Sequence, residues 1–274
     1  MKIVFVTDLH GCLWKYDKLY KVAKAHKADV VINSGDMLPK TSNLFQQDMF
    51  ITKELEKNFK LFNKAKIHYL CYLGNDDLMI FDSLFEKTCR QYEYICNMAQ
   101  HKKNIYGTDF IGLNWVVDYP FRLKDRCRMD TSDYIFQRQF GTGLLSTSSG
   151  WKEINNWYSY ANTLPTIKDE LNDLPLPQDM QNSVYIIHMP PAHLGLDTCG
   201  NGKNVGSQAL YDFLSIHQPK LSLHGHIHES PEMTGIWKAQ LGNTICIQPG
   251  QTNEFIYVII NTKTMEIERY KESR

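Results

Sequence analysis

KIVFVTDLH, residues 2–10, is a β-rich apolar run that stops on two chemically active side chains, Asp8 and His10. The same arrangement returns four times. DVVIN (29–33) leads to Gly35-Asp36, and IHYLCYL (67–73) leads to Gly74-Asn75-Asp76-Asp77. SVYII (183–187) leads to His188, and the run at 220–223 leads to His224-Gly-His226-Ile-His228. Helical patterns separate the first three runs: 14–27, with Leu19, Val22, Ala23 and Ala25 close to helical spacing, and 43–65, with Phe45, Met49, Leu55, Phe59 and Phe62 broadly on one side. Strands alternating with helices predict βαβ units and a locally parallel sheet. In open α/β sheets, side chains just past the carboxyl ends of the strands converge on a common crevice. Convergence here gathers Asp8, Asp36, Asn75, His10, His188, His226 and His228. That mixture of hard oxygen and imidazole nitrogen suits divalent Mn, Fe, Zn, Co or Ni, and it lacks the thiolates of a structural zinc site.

Outward from these runs the pattern is less regular. DFIGLNWVV (109–117) reads as a strand, but 118–182 offers no clean strand. It has charge clusters at 122–133, a Gly/Ser/Thr-rich break at 141–150, a helix around 152–163, then Pro165, Pro175 and Pro177. Roughly 65 residues bury little core unaided, so 118–182 is expected to be an insertion or cap within a single domain spanning 1–274. Its aromatics (Tyr119, Phe121, Tyr134, Phe136, Trp151, Trp157, Tyr158 and Tyr160) suit three roles: a lid or base-stacking wall, a homodimer interface, or a mini-core. Beyond it, 207–217 reads as a helix with Ser207 as N-cap. Residues 243–247, 255–261 and 265–270 read as short strands of an antiparallel ribbon.

Composition narrows the class. Thirty Lys and Arg balance 30 Asp and Glu over 274 residues, and the 43% hydrophobic content is enough for a sizeable core. Zero net charge argues against duplex nucleic acid or an anionic membrane as the main partner. No apolar run approaches the ~18 residues of a membrane span, and Ile3–Val6 is too short for a signal peptide. Seven scattered cysteines (12, 71, 89, 96, 127, 199 and 246) contain no CxxC pair. They predict reduced thiols and a cytoplasmic location.

The ordered set D-x-H, G-D, G-N, H and G-H-x-H, read at Asp8/His10, Asp36, Asn75, His188 and His226/His228, resembles the signature of the calcineurin-like metallophosphoesterases. The resemblance runs from Met1 to about Asn261 and leaves only 118–182 without a counterpart. It implies an α/β fold, a four-layer αββα sandwich of two mixed sheets with an inserted segment, and a two-metal site at one edge. By the same resemblance Asp8, His10 and His228 hold the first ion, Asn75, His188 and His226 the second, and Asp36 bridges both. The expected cofactor is a pair of divalent ions, Mn ahead of Fe, Zn, Co or Ni. Two such ions about 3.5–4 Å apart lower the pKa of a bridging water and clamp both oxygens of an in-line displacement at phosphorus.

One position departs from the pattern. The family usually has His after the GN asparagine, near the scissile phosphate; here Asp76 stands there, giving GNDD. A free Asp titrates near 3.9, about three pH units below neutrality. Ionised, Asp76 cannot donate a proton and repels a dianionic monoester. Losing general-acid help costs on the order of 10²–10⁴-fold, which substrates with one negative charge and a good leaving group bear best. The expected activity is therefore hydrolysis of a small, nucleotide-like phosphodiester. The alternatives are a phosphomonoesterase or nucleotidase, and a catalytically weak interaction scaffold of the same fold.

Two further stretches refine the resemblance. His188-Met-Pro-Pro-Ala-His193-Leu-Gly-Leu-Asp197, a Gly-rich run at 199–206, GNT (242–244) and PGQ (249–251) look like the branch that includes cyclic-nucleotide and nucleotide diesterases. His193 and Asp197 are candidate substrate contacts. The Gly-rich loop either offers backbone N–H groups of the following helix to an anion or is an ordinary strand-to-helix connection. GDMLPK (35–40) lacks the Arg of GDxVDRG, and GNHE is absent, which argues against a protein phosphatase of this superfamily.

Overall fold

The structure, a computed structural model, describes residues 1–274. Its strands in chain order are β1 (Lys2–Val6), β2 (Val30–Asn33), β3 (His68–Cys71), β4 (Ile95–Asn97), β5 (Lys102–Ile105), β6 (Thr108–Leu113), β7 (Val116–Val117), β8 (Cys127–Arg128), β9 (Gly143–Thr147), β10 (Gly150–Ile154), β11 (Ser183–Ile187), β12 (Leu221–Leu223), β13 (Lys238–Leu241), β14 (Thr244–Ile247), β15 (Phe255–Asn261) and β16 (Ile267–Glu272). Twelve of them form two six-stranded sheets, ordered β16-β15-β1-β2-β3-β4 and β13-β14-β12-β11-β6-β5. β1 to β4 are mutually parallel, while β15 runs antiparallel to β1. In the second sheet β6, β11, β12 and β14 are parallel, and β5 and β13 close the edges antiparallel. Both sheets are mixed.

Alternation along the strands makes the layers. Ile3 and Phe5, with Val30, Ile32 and Leu70, pack against Val184, Ile186, Leu221 and Leu223 of the other sheet. Val4, Val6, Val31 and Tyr69 turn the opposite way, onto Leu19, Phe59 and Phe62 of the helices Leu13–Ala25 and Glu56–Lys64. On the far face of the second sheet Ile111, Leu113, Tyr185 and Ile187 pack on Leu210, Phe213 and Leu214 of the helix Gln208–His217. Three apolar interfaces separate four layers, helix, sheet, sheet and helix. The expected αββα sandwich is the observed one.

Residues 118–182 feed side chains into that third interface, among them Cys127, Met129, Trp157, Ile167 and Leu171. Three local expectations change here. The stretch 141–150 is not a break: β9 and β10 form a hairpin in which Thr147 pairs with Gly150, leaving Ser148-Ser149 as the loop. The helix expected over 152–163 is only Trp157–Ala161, because Lys152 to Ile154 belong to β10 and Asn156 caps the helix by accepting from Ser159 N–H. A further helix, Ile167–Asn172, begins with a reciprocal Thr166/Asp169 capping box.

The C-terminal ribbon also differs from expectation. β15 and β16 do pair antiparallel, but β14 lies in the other sheet, parallel to β12. The residues between β14 and β15 therefore pass from one sheet to the other. Residues 44–64 are helical as expected, with a π-helical stretch at Ile51–Leu55. No helix is long and apolar enough to cross a membrane, and all seven cysteines are free.

Candidate metal centre

The five polar clusters stand past the C-terminal ends of five parallel strands, three in one sheet and two in the other. β1 delivers Asp8 and His10, β2 Asp36 and β3 Asn75; β11 delivers His188, and β12 His226 and His228. Asp8, His10 and Asp36 bring ligand atoms within 4.8 Å of one another. His188 Nε2 is 3.6 Å from Asp36 Oδ1 and 2.9 Å from Asn75 Oδ1. His226 Nδ1 is 2.6 Å from the same Asn75 oxygen. The rings of His10 and His228 meet edge-on at 5.9 Å between centroids. All seven candidates thus form one connected cluster.

The chain turns sharply to achieve this. Asp8, His10, Asp36 and His226 all have positive φ, between 43° and 68°, a region that non-glycine residues enter only at a cost and that clusters at functional sites. Two glycines make room. A β-carbon on Gly74 would stand 2.2 Å from Asp36 Oδ1, and one on Gly225 would stand 2.0 Å from Thr7 Oγ1 and 2.9 Å from Asp8 Oδ2.

The donor chemistry fits bound cations. Both ring nitrogens of His10 are buried without a hydrogen-bond partner; a metal ion on one of them would satisfy an atom that a plain core leaves unpaired. Donors around a cation at bonds of about 2.0–2.2 Å lie roughly 3–4 Å apart, close to the 3.6 Å between His188 and Asp36 and the 4.0 Å between His10 and Asp36; Asn75 Oδ1 lies at hydrogen-bond distance from both of its histidines. His188 Nδ1 donates to Ser34 O at 2.6 Å, which in the neutral ring leaves the Nε2 lone pair toward Asn75 and Asp36. Burial lowers the affinity of His188 for a proton, but the Asp36 carboxylate beside it outweighs that and lifts its pKa to about 9. Burial depresses His226 to about 3, so its ring is neutral and free to ligate. Asp36 is held well below the usual carboxylate range, burial being outweighed by His188.

Several residues outside the motif support the cluster. Asp77, fully buried, accepts from Met37 N–H (2.9 Å), Leu38 N–H (2.8 Å) and Gly74 N–H (2.8 Å), tying the Asp36 loop to the Asn75 loop. Arg126, from the insertion, donates to Gly74 O at 2.8 Å and pairs with Asp82. His224, buried, places Nδ1 3.0 Å from the carbonyls of Ile187 and Met189 on either side of His188. From the crossing between the sheets, Gln248 donates to Gly225 O, and Gln251 donates to Thr7 O (3.2 Å), the residue before Asp8. The sequence carried Asp77 inside GNDD and Gln251 inside PGQ, but their partners are distant in the chain.

Asp76 lies at the rim. Its N–H donates to Asp36 Oδ1 (2.9 Å), its Oδ1 accepts from Asn75 Nδ2 (3.2 Å), and its carboxylate is paired with Lys40. The bond to Asn75 Nδ2 turns the Asn75 oxygen toward the two histidines. Lys40 is a residue that sequence reasoning missed: it stands four positions past Asp36, with only its charge as a signal. Tyr119, from the insertion, has its ring 5.8 Å from that of His226.

The structure does not bring His193 or Asp197 to the cluster. His193 is exposed, bonded through Nε2 to Gln208 Oε1 (2.5 Å) and edge-on to Tyr211. Asp197 is buried and accepts from Gly206 N–H (2.8 Å), holding its own loop. The anion site considered for the following helix is also filled from within. Asp130 accepts from Ser207 Oγ (2.5 Å), Gln208 N–H (2.8 Å) and Ala209 N–H (3.2 Å), so the loop is a strand-to-helix connection whose end is already capped.

A family model described as calcineurin-like phosphoesterase matches residues 1–230. No curated protein matches the chain. One solved structure is similar with 17% identity, covering 99% of both chains at a TM-score of 0.62. The crystal structure of TT1561 of Thermus thermophilus is similar with 15% identity, covering 98% of both chains at a TM-score of 0.59. A structure described as a novel archaeal phosphodiesterase has 12% identity, 99% coverage of both chains and a TM-score of 0.49. At these identities the first two likenesses show a shared fold and nothing more specific.

Proposed function

The chain belongs to the calcineurin-like phosphoesterase family and is a metal-dependent phosphoesterase, and from that premise we propose that its preferred substrate is a small, nucleotide-like phosphodiester. In this reading Asp8, His10, His228 and Asp36 would hold one divalent ion, and Asn75, His188, His226 and Asp36 the other. Such ions, when bound, would supply an activated water and charge stabilisation at the phosphoryl oxygens. The protein's part is to aim the ligands. Asp77 and Arg126 fix the two carboxylate and amide loops, His224 sets the backbone around His188, and Asp76 turns the Asn75 oxygen inward. The free thiols fit a reducing compartment such as the cytoplasm. Residues 118–182 serve as a wall beside the centre, built into one domain with the rest.

The observation that carries the diester reading is Asp76 with its partner Lys40. No imidazole stands at this rim position to protonate a departing alkoxide. The carboxylate is engaged by Asn75 and by the Lys40 ammonium, so the pair brings no net positive charge to draw a dianionic monoester. A diester with a good leaving group asks least of such a site.

A second reading is a monoesterase with Asp76 as general acid. Burial and the Asp36 carboxylate push the Asp76 carboxyl up to about 7, against Lys40, and a group poised near 7 is suited to proton transfer. Cations seated on Asp36 act oppositely, favouring the ionised carboxylate. Rates with bis-p-nitrophenyl phosphate and p-nitrophenyl phosphate separate the two. The diester reading predicts faster diester turnover, an Asp76→Asn variant within about tenfold of wild type, and an Asp76→His variant with raised monoester turnover. Faster monoester turnover, lost by on the order of 10²–10⁴-fold in Asp76→Asn, would overturn it.

A further inference from the structure

A cavity of about 340 Å³ opens beside Asp76, lined by Lys40 to Leu44, Asp76 and Trp151. That volume is at the lower end of what small-ligand sites occupy. Its inner wall, Asp76, is bonded through its N–H to Asp36, so a group lodged there sits next to the metal ligands. Its outer wall is Trp151, 42% exposed.

Trp151 is held in place from two sides. It is the second residue of β10, opposite Ser146 of β9. Ser146 N–H and Oγ both donate to Asp125 (2.8 and 2.5 Å), and the same carboxylate accepts from Met79 N–H (2.9 Å). Ile80 N–H in turn donates to Ser146 Oγ (3.2 Å). The hairpin is therefore bolted to the segment that directly follows Asn75-Asp76-Asp77. Phe45, next to the lining residue Leu44, packs edge-to-face on the indole at 4.9 Å between centroids, which fixes the ring's orientation, and Trp151 stays partly exposed.

The remaining lining is polar without being strongly charged. Lys40 and Asp76 neutralise each other. Asn43 accepts at Oδ1 from the Phe45 N–H (3.1 Å); it and Ser42 are exposed lining residues, so an amide and a hydroxyl stand on the solvent side of the cavity. A flat aromatic wall, a neutral polar edge and an apolar Leu44 suit an uncharged planar heterocycle with acceptor atoms. They do not suit a second phosphate or a sugar chain.

We propose that this cavity is the subsite for a nucleobase-like ring carried by the phosphoester substrate, with Trp151 as its stacking surface and Asn43 and Ser42 as edge donors. The proposal rests on the phosphoesterase reading of the metal centre, and it makes Trp151 a specificity residue of that reaction. A base stacked on an aromatic side chain gains about 5- to 150-fold in affinity.

The test compares the methyl diester of adenosine 5′-monophosphate with dimethyl phosphate as ligands of the Mn²⁺-loaded protein, by calorimetry and by tryptophan fluorescence. Wild type should bind the nucleotide diester at least about tenfold tighter, with quenching of its emission. Trp151→Leu should lose both the preference and the quenching while binding dimethyl phosphate as before, and Trp151→Phe should keep most of the preference. Dimethyl phosphate bound without any nucleotide preference, or a preference that survives in Trp151→Leu, would overturn the subsite and leave the phosphodiesterase reading standing. Failure of wild type to bind either diester would overturn the phosphodiesterase reading, and the subsite with it.

Discussion

Asp77 shows what a single residue contributes beyond the motif it belongs to. In the sequence it is one more acid after Asn75. In the structure its carboxylate accepts from three backbone N–H groups, one of them nearby on Gly74 and two of them, on Leu38 and Met37, 39 and 40 positions away. Removing it strands three buried donors. Each unsatisfied donor costs about 1–3 kcal/mol. Asp77→Ala should therefore lose at least about 3 kcal/mol in urea unfolding of the metal-free protein. A loss below about 1 kcal/mol would mean that other contacts hold the loops. That these seven side chains cluster was legible, because each stands just past an apolar run that reads as a strand. Lys40, Asp77, Gln248 and Gln251 were not, because their meaning lies in partners that only the folded chain brings near.

At the scale of elements, the strand-end turns carry the site, and their glycines do so by steric necessity. Gly74→Ala would drive a methyl into Asp36 Oδ1. The fold should tolerate this at about 1–3 kcal/mol, since the clash lies outside the three apolar interfaces. Displacing the Asp36 carboxylate by about 1 Å should lower turnover on the order of 10²-fold. Near-native circular dichroism with turnover within about threefold of wild type would contradict this account of the turn. Elements with apolar alternation were readable directly: β1, β2, β11 and β15 stand within a residue or so of where the sequence puts them. The β9–β10 hairpin was not, because GLLST is half-buried and GWKEI largely exposed, and the contact that holds Ser146 comes from Asp125, outside the pair. The placement of β14 failed for a different reason. Its sequence specifies a strand but not which of two sheets receives it.

The molecule as a whole is two sheets packed so that the C-terminal ends of parallel strands from both meet at one edge. Neither sheet owns the metal centre. Asp8, His10, Asp36 and Asn75 come from one, His188, His226 and His228 from the other. Sequence order alone could suggest this convergence, and the resemblance to a known family supplied the two-sheet arrangement that makes it possible. The aromatics of 118–182 left a wall, a homodimer interface and a mini-core open, and the folded chain shows elements of two of these: the segment shares a core with the second sheet through Trp157, Ile167 and Leu171, while Tyr119 stands beside His226 and Trp151 lines the cavity at Asp76. The central claim, a centre of two divalent ions bridged by Asp36, is tested most directly by calorimetric titration of metal-stripped protein with Mn²⁺, beside an Asp36→Asn variant. The account predicts two ions per chain for wild type and the loss of at least one in the variant. No uptake by wild type, or two ions bound unchanged without the Asp36 carboxylate, would contradict it.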